Sequence, residues 1–189
     1  MTSTLNDTGL VSGTYSDDPS HSRVGFVARH AMVTKVRGAF NEFDATAEID
    51  ADDLSRSSVR VSLKTNSIDT RNEQRDGHLR SNDFLDIESF PQITFVSTDV
   101  VPVGSDVIRV TGDLSIKGTT RPVTVDFTYE GTATDPFGNL RVGFEGAVTI
   151  NRKDWGVNWN AALEAGGVLV SEKVTLDFDV SAIRTPDAA

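Results

Sequence analysis

Residues 123–130, with the sequence VTVDFTYE, decide the fold class. Apolar and polar side chains alternate strictly here, so that Val123, Val125 and Phe127 would point to one side of an extended strand and the polar residues to the other. This period of two differs from the period of about 3.6 residues that a helix requires. One buried face and one solvated face are typical of strands in antiparallel sheets. The stretch therefore predicts an antiparallel β-strand.

The same alternation recurs on both sides of this stretch. Residues 117–120 and 135–139 have the composition of hairpin turns, which join neighbouring strands in antiparallel order. A meander of about eight strands results, and closing it into a barrel would remove the exposed edges. A two-sheet sandwich would show the same alternation, so these patterns leave both architectures open. The other alternating stretches are residues 23–30, 59–64, 93–95, 108–116, 140–150 and 174–180.

A slip in phase marks residues 40–49. The apolar positions that follow Phe40 are out of step with it by one residue; they are Phe43, Ala45, Ala47 and Ile49. An extra residue in one strand of an antiparallel pair produces such a slip. The pattern predicts one long strand with a β-bulge near Asn41 and Glu42.

Residues 66–91 break the alternation and form an insert. The sequence Thr70–Glu73 matches a capping box, in which the threonine and glutamate side chains satisfy the first amides of a helix, and residues 74–80 would continue that helix. An insert of roughly 25 residues between two strands is longer than a barrel needs, and long inserts often serve as lids or binding loops. Three side chains would share one face of the helix: Arg71, Arg75 and His78.

Charge and cysteine content exclude several classes of function. The chain has 189 residues, of which 28 are acidic and 18 basic, and a formal net charge of −10. An evenly acidic surface repels phosphate groups, which disfavours nucleic acids and negatively charged membranes as partners. The absence of cysteine excludes disulfides, thiolate metal sites and cysteine nucleophiles.

Length and composition along the chain indicate one domain. We predict that residues 13–184 form it, and that residues 1–12 and 185–189 are loose termini. The first residues lack the basic start and the apolar core of a secretory signal. The expected location is therefore the cytoplasm.

The chemistry-bearing residues form no common catalytic motif. Three histidines are present, at positions 21, 30 and 78, and their spacing is not that of a metal site. We therefore predict no catalytic residue, no metal site and no cofactor. His30 shares strand phase with Phe26, so it is either a core residue or a polar ligand contact near one rim. Trp155 and Trp159 lie in one loop, which would plug one end of the barrel or line its pocket.

Several short motifs, taken in order, resemble the YceI-like family, the polyisoprenoid-binding proteins with a lipocalin-like barrel. The resemblance covers roughly residues 14–183. It rests on Asp18-Pro19-Ser20-His21-Ser22, Gly38-Ala39-Phe40, Ser67-Ile68-Asp69-Thr70, Arg75-Asp76-Gly77-His78-Leu79, Phe90-Pro91-Gln92-Ile93-Thr94-Phe95 and Asn151-Arg152-Lys153-Asp154-Trp155-Gly156. The resemblance implies an eight-stranded antiparallel barrel with a short helical insert, an elongated apolar cavity, a homodimer and a long isoprenoid or quinone chain as ligand.

The predicted ligand-binding residues are inward apolar side chains with a few polar groups near one mouth. The polar candidates could meet an oxygen or phosphate of a ligand head group. The predicted set is Phe26, His30, Phe40, Arg75, His78, Phe84, Phe95, Leu114, Phe127, Phe144, Trp155 and Trp159.

These observations give one leading hypothesis and two alternatives. The leading hypothesis is a non-catalytic protein that binds, transports or sequesters an apolar lipid in its barrel. The first alternative is a small enzyme that uses His30 or His78 as an acid or base on a ligand held in the barrel. The second is a stress or interaction protein whose barrel is solid.

Overall fold

A computed structural model describes residues 9–187 of the chain, and this part is mostly β-strand. One α-helix is present in it, α1 (Glu73–Arg80). No helix between residues 9 and 187 is long and apolar enough to cross a membrane. The strands are β1 (Gly13–Asp17), β2 (Arg23–His30), β3 (Thr34–Phe40), β4 (Phe43–Ile49), β5 (Ser58–Lys64), β6 (Ile68–Asp69), β7 (Gln92–Val103), β8 (Val107–Ile116), β9 (Thr119–Thr134), β10 (Leu140–Asn151) and β11 (Lys173–Arg184).

The strands form a closed antiparallel barrel of eight strands, of which three are interrupted by short turns. β1 and β2 pair one after the other along β11, through Tyr15 with Arg184 and Val24 with Phe178. β4 and β3 continue the sheet along them, followed by β5 and β6, and the hairpins from β7 to β11 complete the circle. The predicted barrel with a short helical insert is confirmed, and the sandwich is excluded.

The phase slip after Phe40 takes another form than the predicted bulge. β3 ends at Phe40 and β4 begins at Phe43, so Asn41 and Glu42 separate two strands instead of bulging within one. The interrupted backbone keeps its hydrogen bonds, because Asn41 donates to the carbonyl of Ser67 at 3.1 Å and Glu42 accepts from Lys64 at 3.0 Å. The break between β3 and β4 therefore lies beside the short turn between β5 and β6 and is hydrogen-bonded to it.

The predicted capping box at the start of α1 is wrong. The helix begins at Glu73, and the side chain of Asn72 caps it by accepting a hydrogen bond from the amide of Arg75 at 2.9 Å. Thr70 lies outside the helix because Arg71 adopts a φ of 62°, which turns the chain before the first helical residue. The Thr70 hydroxyl instead donates to the carboxylate of Asp76 at 2.5 Å.

The packed part of the chain begins earlier than predicted at its N-terminal end. Leu10 is 5% exposed and packs in the core together with Tyr15 and Leu54. Ser12 Oγ accepts a hydrogen bond from the amide of Ala51 at 2.8 Å. Packing therefore begins at Leu10 and not at residue 13. Residues 1–8 and 188–189 of the predicted loose termini lie outside the described residues. At the other end, the amide of Thr185 donates to the carbonyl of Thr14 at 2.7 Å.

Candidate ligand cavity

The inward faces of the strands leave a cavity of about 340 Å³ with an almost purely apolar wall. The cavity lies between two groups of packed residues that share Phe95 and Phe127. One group closes the barrel end where Leu54 lies, and the other contains Leu79 of α1 and Trp155. The volume lies at the lower end of the range of about 300–1,000 Å³ that is usual for ligand pockets.

Most of the predicted ligand-binding residues line this cavity. Those on strands face inward because the strand period places every second residue on the same side of the sheet, whereas Phe84 and Trp155 lie in the segments after α1 and after β10. Several of the aromatic rings contact one another, with ring centroids 5.8 Å apart for Phe26 and Phe40 and also for Phe127 and Phe178. The predicted residues in the lining are Phe26, Phe40, Phe84, Phe95, Leu114, Phe127, Phe144 and Trp155.

The predicted polar contacts do not line the cavity. The guanidinium of Arg75 is hydrogen-bonded to Thr70: it donates to the Thr70 hydroxyl at 2.7 Å and to the Thr70 carbonyl at 2.8 Å. His30 is exposed at the end of β2 and pairs with Val170. Neither residue is part of the cavity lining.

His78 and Trp159 form an aromatic cluster with Phe84 and, like His30 and Arg75, are not part of the lining. The His78 and Trp159 ring centroids lie 4.6 Å apart at a nearly perpendicular angle, and Phe84 lies 5.0 Å from His78. His78 Nε2 also contacts the Asp83 carboxylate at 2.8 Å. The imidazole thus fastens α1 to the loop of Trp159, and of these rings only Phe84 reaches the cavity.

Trp155 and Arg152 plug the cavity at the α1 end. Trp155 is 3% exposed, and its indole Nε1 donates to the carbonyl of Leu114 at 2.9 Å. Arg152 is 6% exposed and donates to the carbonyls of Ser171 at 2.9 Å and Val157 at 2.7 Å. Burial lowers the pKa of the Arg152 guanidinium. Arg152 was not among the predicted site residues, because the sequence around one arginine does not reveal that carbonyl groups will surround its side chain.

Asp17 is an unpredicted polar residue in the cavity wall. Its carboxylate Oδ1 accepts a hydrogen bond from the amide of Ala45 at 2.7 Å. The other oxygen, Oδ2, is buried and has no hydrogen-bond partner among the described residues. Burial raises the pKa of this carboxyl, and the nearby Asp44 raises it further. Strand phase could have found it, since Asp17 is two residues after the buried Tyr15.

The other histidine lies at the outer rim. His21 Nδ1 contacts Asp18 Oδ2 at 2.8 Å and Ser20 Oγ at 3.0 Å. A catalytic triad requires the serine and the carboxylate on opposite ring nitrogens, whereas here both meet the same one. Within residues 9–187, no group of three or more histidine, aspartate or glutamate side chains could hold a metal ion.

The fold and the cavity define a class of protein, the lipocalin-like barrels, in which closed antiparallel strands enclose an apolar chamber. Within this class, the chain belongs to the YceI-like family, because the family model of the YceI-like domain matches residues 15–182. The resemblance drawn from the sequence motifs is thereby confirmed.

Relatives and solved structures support the same assignment. The chain is 39% identical to UPF0312 proteins of Staphylococcus epidermidis and Staphylococcus aureus, over 89% of its own length and 95% of theirs. The crystal structure of BcnA from Burkholderia cenocepacia is similar with a TM-score of 0.77 and 26% identity, covering 87% of this chain and 98% of that one. A polyisoprenoid-binding domain from Saccharophagus degradans is similar with a TM-score of 0.69 and 15% identity, covering 90% and 98%.

Proposed function

We propose that this protein binds an apolar lipid, an isoprenoid or a prenylated quinone, in the barrel cavity, and that it carries or sequesters this lipid without catalysing a reaction on it. The observation that carries the proposal is the continuous apolar wall of the cavity, built from inward side chains of nearly every strand. The name of the Saccharophagus relative agrees with this ligand class, but at 15% identity that likeness supports the fold alone.

Burial of hydrocarbon is sufficient to bind such a ligand. Each buried CH₂ group contributes about 0.8 kcal/mol, so one five-carbon prenyl unit contributes roughly 3–4 kcal/mol before ordering costs. A prenyl chain needs few polar contacts, which agrees with a wall whose polar atoms are almost all turned away from the chamber. A barrel filled solidly by side chains has less support, because open space remains between the two packed groups.

The alternative of an enzyme that uses His30 or His78 has less support, because both imidazoles lie outside the cavity lining. Replacing either residue by alanine should leave lipid binding intact. A substrate whose turnover disappears in one of these variants, while its binding is kept, would favour the enzyme.

The first experiment is extraction of the purified protein with organic solvent, followed by mass spectrometry for isoprenoids and quinones. The second is titration with a prenylated benzoquinone while tryptophan fluorescence is recorded, since Trp155 lines the cavity and a bound quinone would quench it. We expect saturable quenching. Protein that remains empty after exposure to isoprenoids, and shows no saturable quenching, would contradict the proposal.

A matched pair of variants on β4 tests whether the ligand occupies the cavity. Ala45 lines the chamber, whereas its neighbour Asp44 is exposed on the outer face. Ala45→Leu should weaken quinone binding about tenfold, because the larger side chain takes the space of ligand carbon. Asp44→Leu should leave the affinity unchanged. Circular dichroism confirms that both variants fold.

A further inference from the structure

The β2–β3 hairpin is a basic segment with an apolar tip in an acidic protein. Between Asp18 and Glu42 the chain contains no acidic residue. At the tip, Met32 is 61% exposed and Val33 is 75% exposed. The basic side chains of the hairpin are Arg23, Arg29, Lys35 and Arg37. The net charge alone suggested an evenly acidic surface, and this basic segment shows that the charge is unevenly distributed.

Three of these cations are available to a partner. Arg29, Lys35 and Arg37 are exposed, and none of them forms an ion pair with a carboxylate of residues 9–187. The fourth, Arg23, is paired with Asp177 at 3.0 Å, farther along the barrel wall. The free cations flank the tip on both strands, so the exposed aliphatic side chains lie within a positively charged border.

The turn is held in a strained conformation that presents the tip. Ala31 and Met32 adopt φ values of 49° and 64°, in the left-handed region that residues other than glycine and asparagine rarely occupy. The Val33 amide donates to the carbonyl of His30 at 3.1 Å and closes the turn. A neighbouring loop supports it, since the Ala31 amide donates to the carbonyl of Leu169 at 2.7 Å. Strain of this kind persists only where surrounding structure imposes it, and it often accompanies function.

The hairpin continues directly from the cavity wall. Ala28 on β2 and Val170 both line the cavity, and Val170 pairs with His30 at the base of the turn. Val170 also accepts a hydrogen bond from Arg152, in the plug beside Trp155. The apolar tip thus lies at the plugged end of the chamber, beyond the rim.

We propose that the tip of the β2–β3 hairpin docks onto a lipid bilayer with anionic head groups. Met32 and Val33 enter the interface between head groups and acyl chains, while Arg29, Lys35 and Arg37 contact lipid phosphates. The positive border around an apolar tip favours a bilayer over an apolar protein surface, because only the bilayer offers hydrocarbon beneath a layer of negative charge. The inference rests on the proposed lipid-binding function, for which docking supplies the route between membrane and cavity.

Flotation with vesicles tests the docking. Vesicles of phosphatidylcholine alone are compared with vesicles that contain about one-third phosphatidylglycerol, and we expect binding to the second kind that weakens as salt is added. The double variants Met32→Ser/Val33→Ser and Lys35→Gln/Arg37→Gln should each lose about tenfold or more in partition to the anionic vesicles. All four positions are exposed, so the fold should be kept.

Matched controls exist elsewhere on the barrel. Phe137 is 87% exposed at the tip of the β9–β10 hairpin, at the end of β10 opposite to Asn151 and the plug. Arg60 is exposed in the middle of β5 and forms no ion pair among the described residues. Phe137→Ser removes one exposed apolar side chain and Arg60→Gln removes one positive charge, both away from the proposed surface, and each should leave vesicle binding unchanged.

The possible results separate this inference from the proposed function. Absence of wild-type binding to either kind of vesicle, or equal binding by all variants, would overturn the docking. So would a wild-type dimer that dissociates in Met32→Ser/Val33→Ser, since the tip would then be an interface between two copies. If quinone titration succeeds while flotation fails, the lipid-binding function stands without the docking. If flotation succeeds while titration fails, the docking stands without the lipid-binding function.

Discussion

At the scale of single residues, the most telling side chain is Asp17. It is a carboxylate in the wall of an apolar chamber, with one oxygen bonded to Ala45 and the other without a partner among the described residues. A buried polar atom without a partner typically costs about 1–3 kcal/mol. Because the pKa of Asp17 is raised above its ordinary value of 3.8, the folded state keeps this proton to a higher pH than the unfolded chain does.

This difference makes part of the stability depend on pH. The folded state binds more protons between pH 3.8 and the raised pKa, so the free energy of unfolding decreases as the pH rises through that window. Asp17→Asn should remove the decrease and be about 1 kcal/mol more stable than the wild type at pH 7. No gain is expected below pH 3.8. Urea unfolding at both pH values measures the effect. Asp99→Asn on β7 is the control for loss of charge, and an equal gain in that exposed variant would contradict the role of burial.

At the scale of secondary-structure elements, the β2–β3 hairpin stands out because its turn residues disagree with its geometry. A β-turn with positive φ at both central positions normally contains asparagine and glycine there. Here Ala31 and Met32 occupy these positions. Each L-residue in the left-handed region costs about 1–2 kcal/mol. The hairpin therefore keeps an apolar tip at the expense of stability.

Relief of this strain is measurable. Ala31→Gly should raise the free energy of unfolding by roughly 0.5–1 kcal/mol, because the gain in the folded turn exceeds the added freedom of the unfolded chain. Thr34→Gly, at the first residue of β3 and outside the left-handed region, should instead destabilise the protein. Thermal unfolding of both variants tests the argument. A destabilised Ala31→Gly protein would show that the turn is not strained.

At the scale of the whole molecule, the β1 part of the first barrel strand meets β11 in a short seam, and β2 continues the pairing along β11. β1 pairs with β11 over Tyr15, Ser16 and Asp17 only. Next to this seam, the Arg141 guanidinium bonds to Asp18 and to Asp135, each at 2.7 Å. The arginine thereby connects the turn after β1, strand β10 and the β9–β10 hairpin. Hydrogen bonds from Ser20 and Arg141 lower the pKa of Asp18, and Arg141 lowers that of Asp135.

Loss of this connection should make the protein less stable at neutral pH and less sensitive to acid. A carboxylate with a lowered pKa stabilises the fold fully above 3.8, and this stabilisation disappears as the pH falls towards the lowered value. Arg141→Gln should lower the melting temperature by several degrees at pH 7 and have a much smaller effect at acidic pH. Arg109→Gln is the control, since Arg109 pairs with Asp126 on the exposed wall at 2.7 Å. A similar loss in both variants would contradict a special role of the seam.

Much of this architecture could be predicted from the order of residues along the chain. Alternation such as that of residues 123–130 determines which side chains face inward, and the turns determine that neighbouring strands run antiparallel. Strand phase therefore placed Phe26, Phe95 and Phe127 correctly in the wall of the cavity. These are local properties, because they depend only on the period of an extended backbone and on turn chemistry.

The remaining features were decided by tertiary structure. From the sequence, Arg75 and His78 were expected to share a helix face and to offer their polar groups to a ligand. In the fold, Arg75 donates a hydrogen bond to Thr70, and His78 contacts the carboxylate of Asp83. Arg152 acquires two of its carbonyl partners, those of Ser171 and Val170, from a loop 19 and 18 residues away along the chain. Whether a polar group faces a ligand or a neighbour depends on which distant segments closure of the barrel brings together. The sequence by itself determined the strands and their inward faces, whereas the chamber, its plug and the exposed basic hairpin arise only when those strands close.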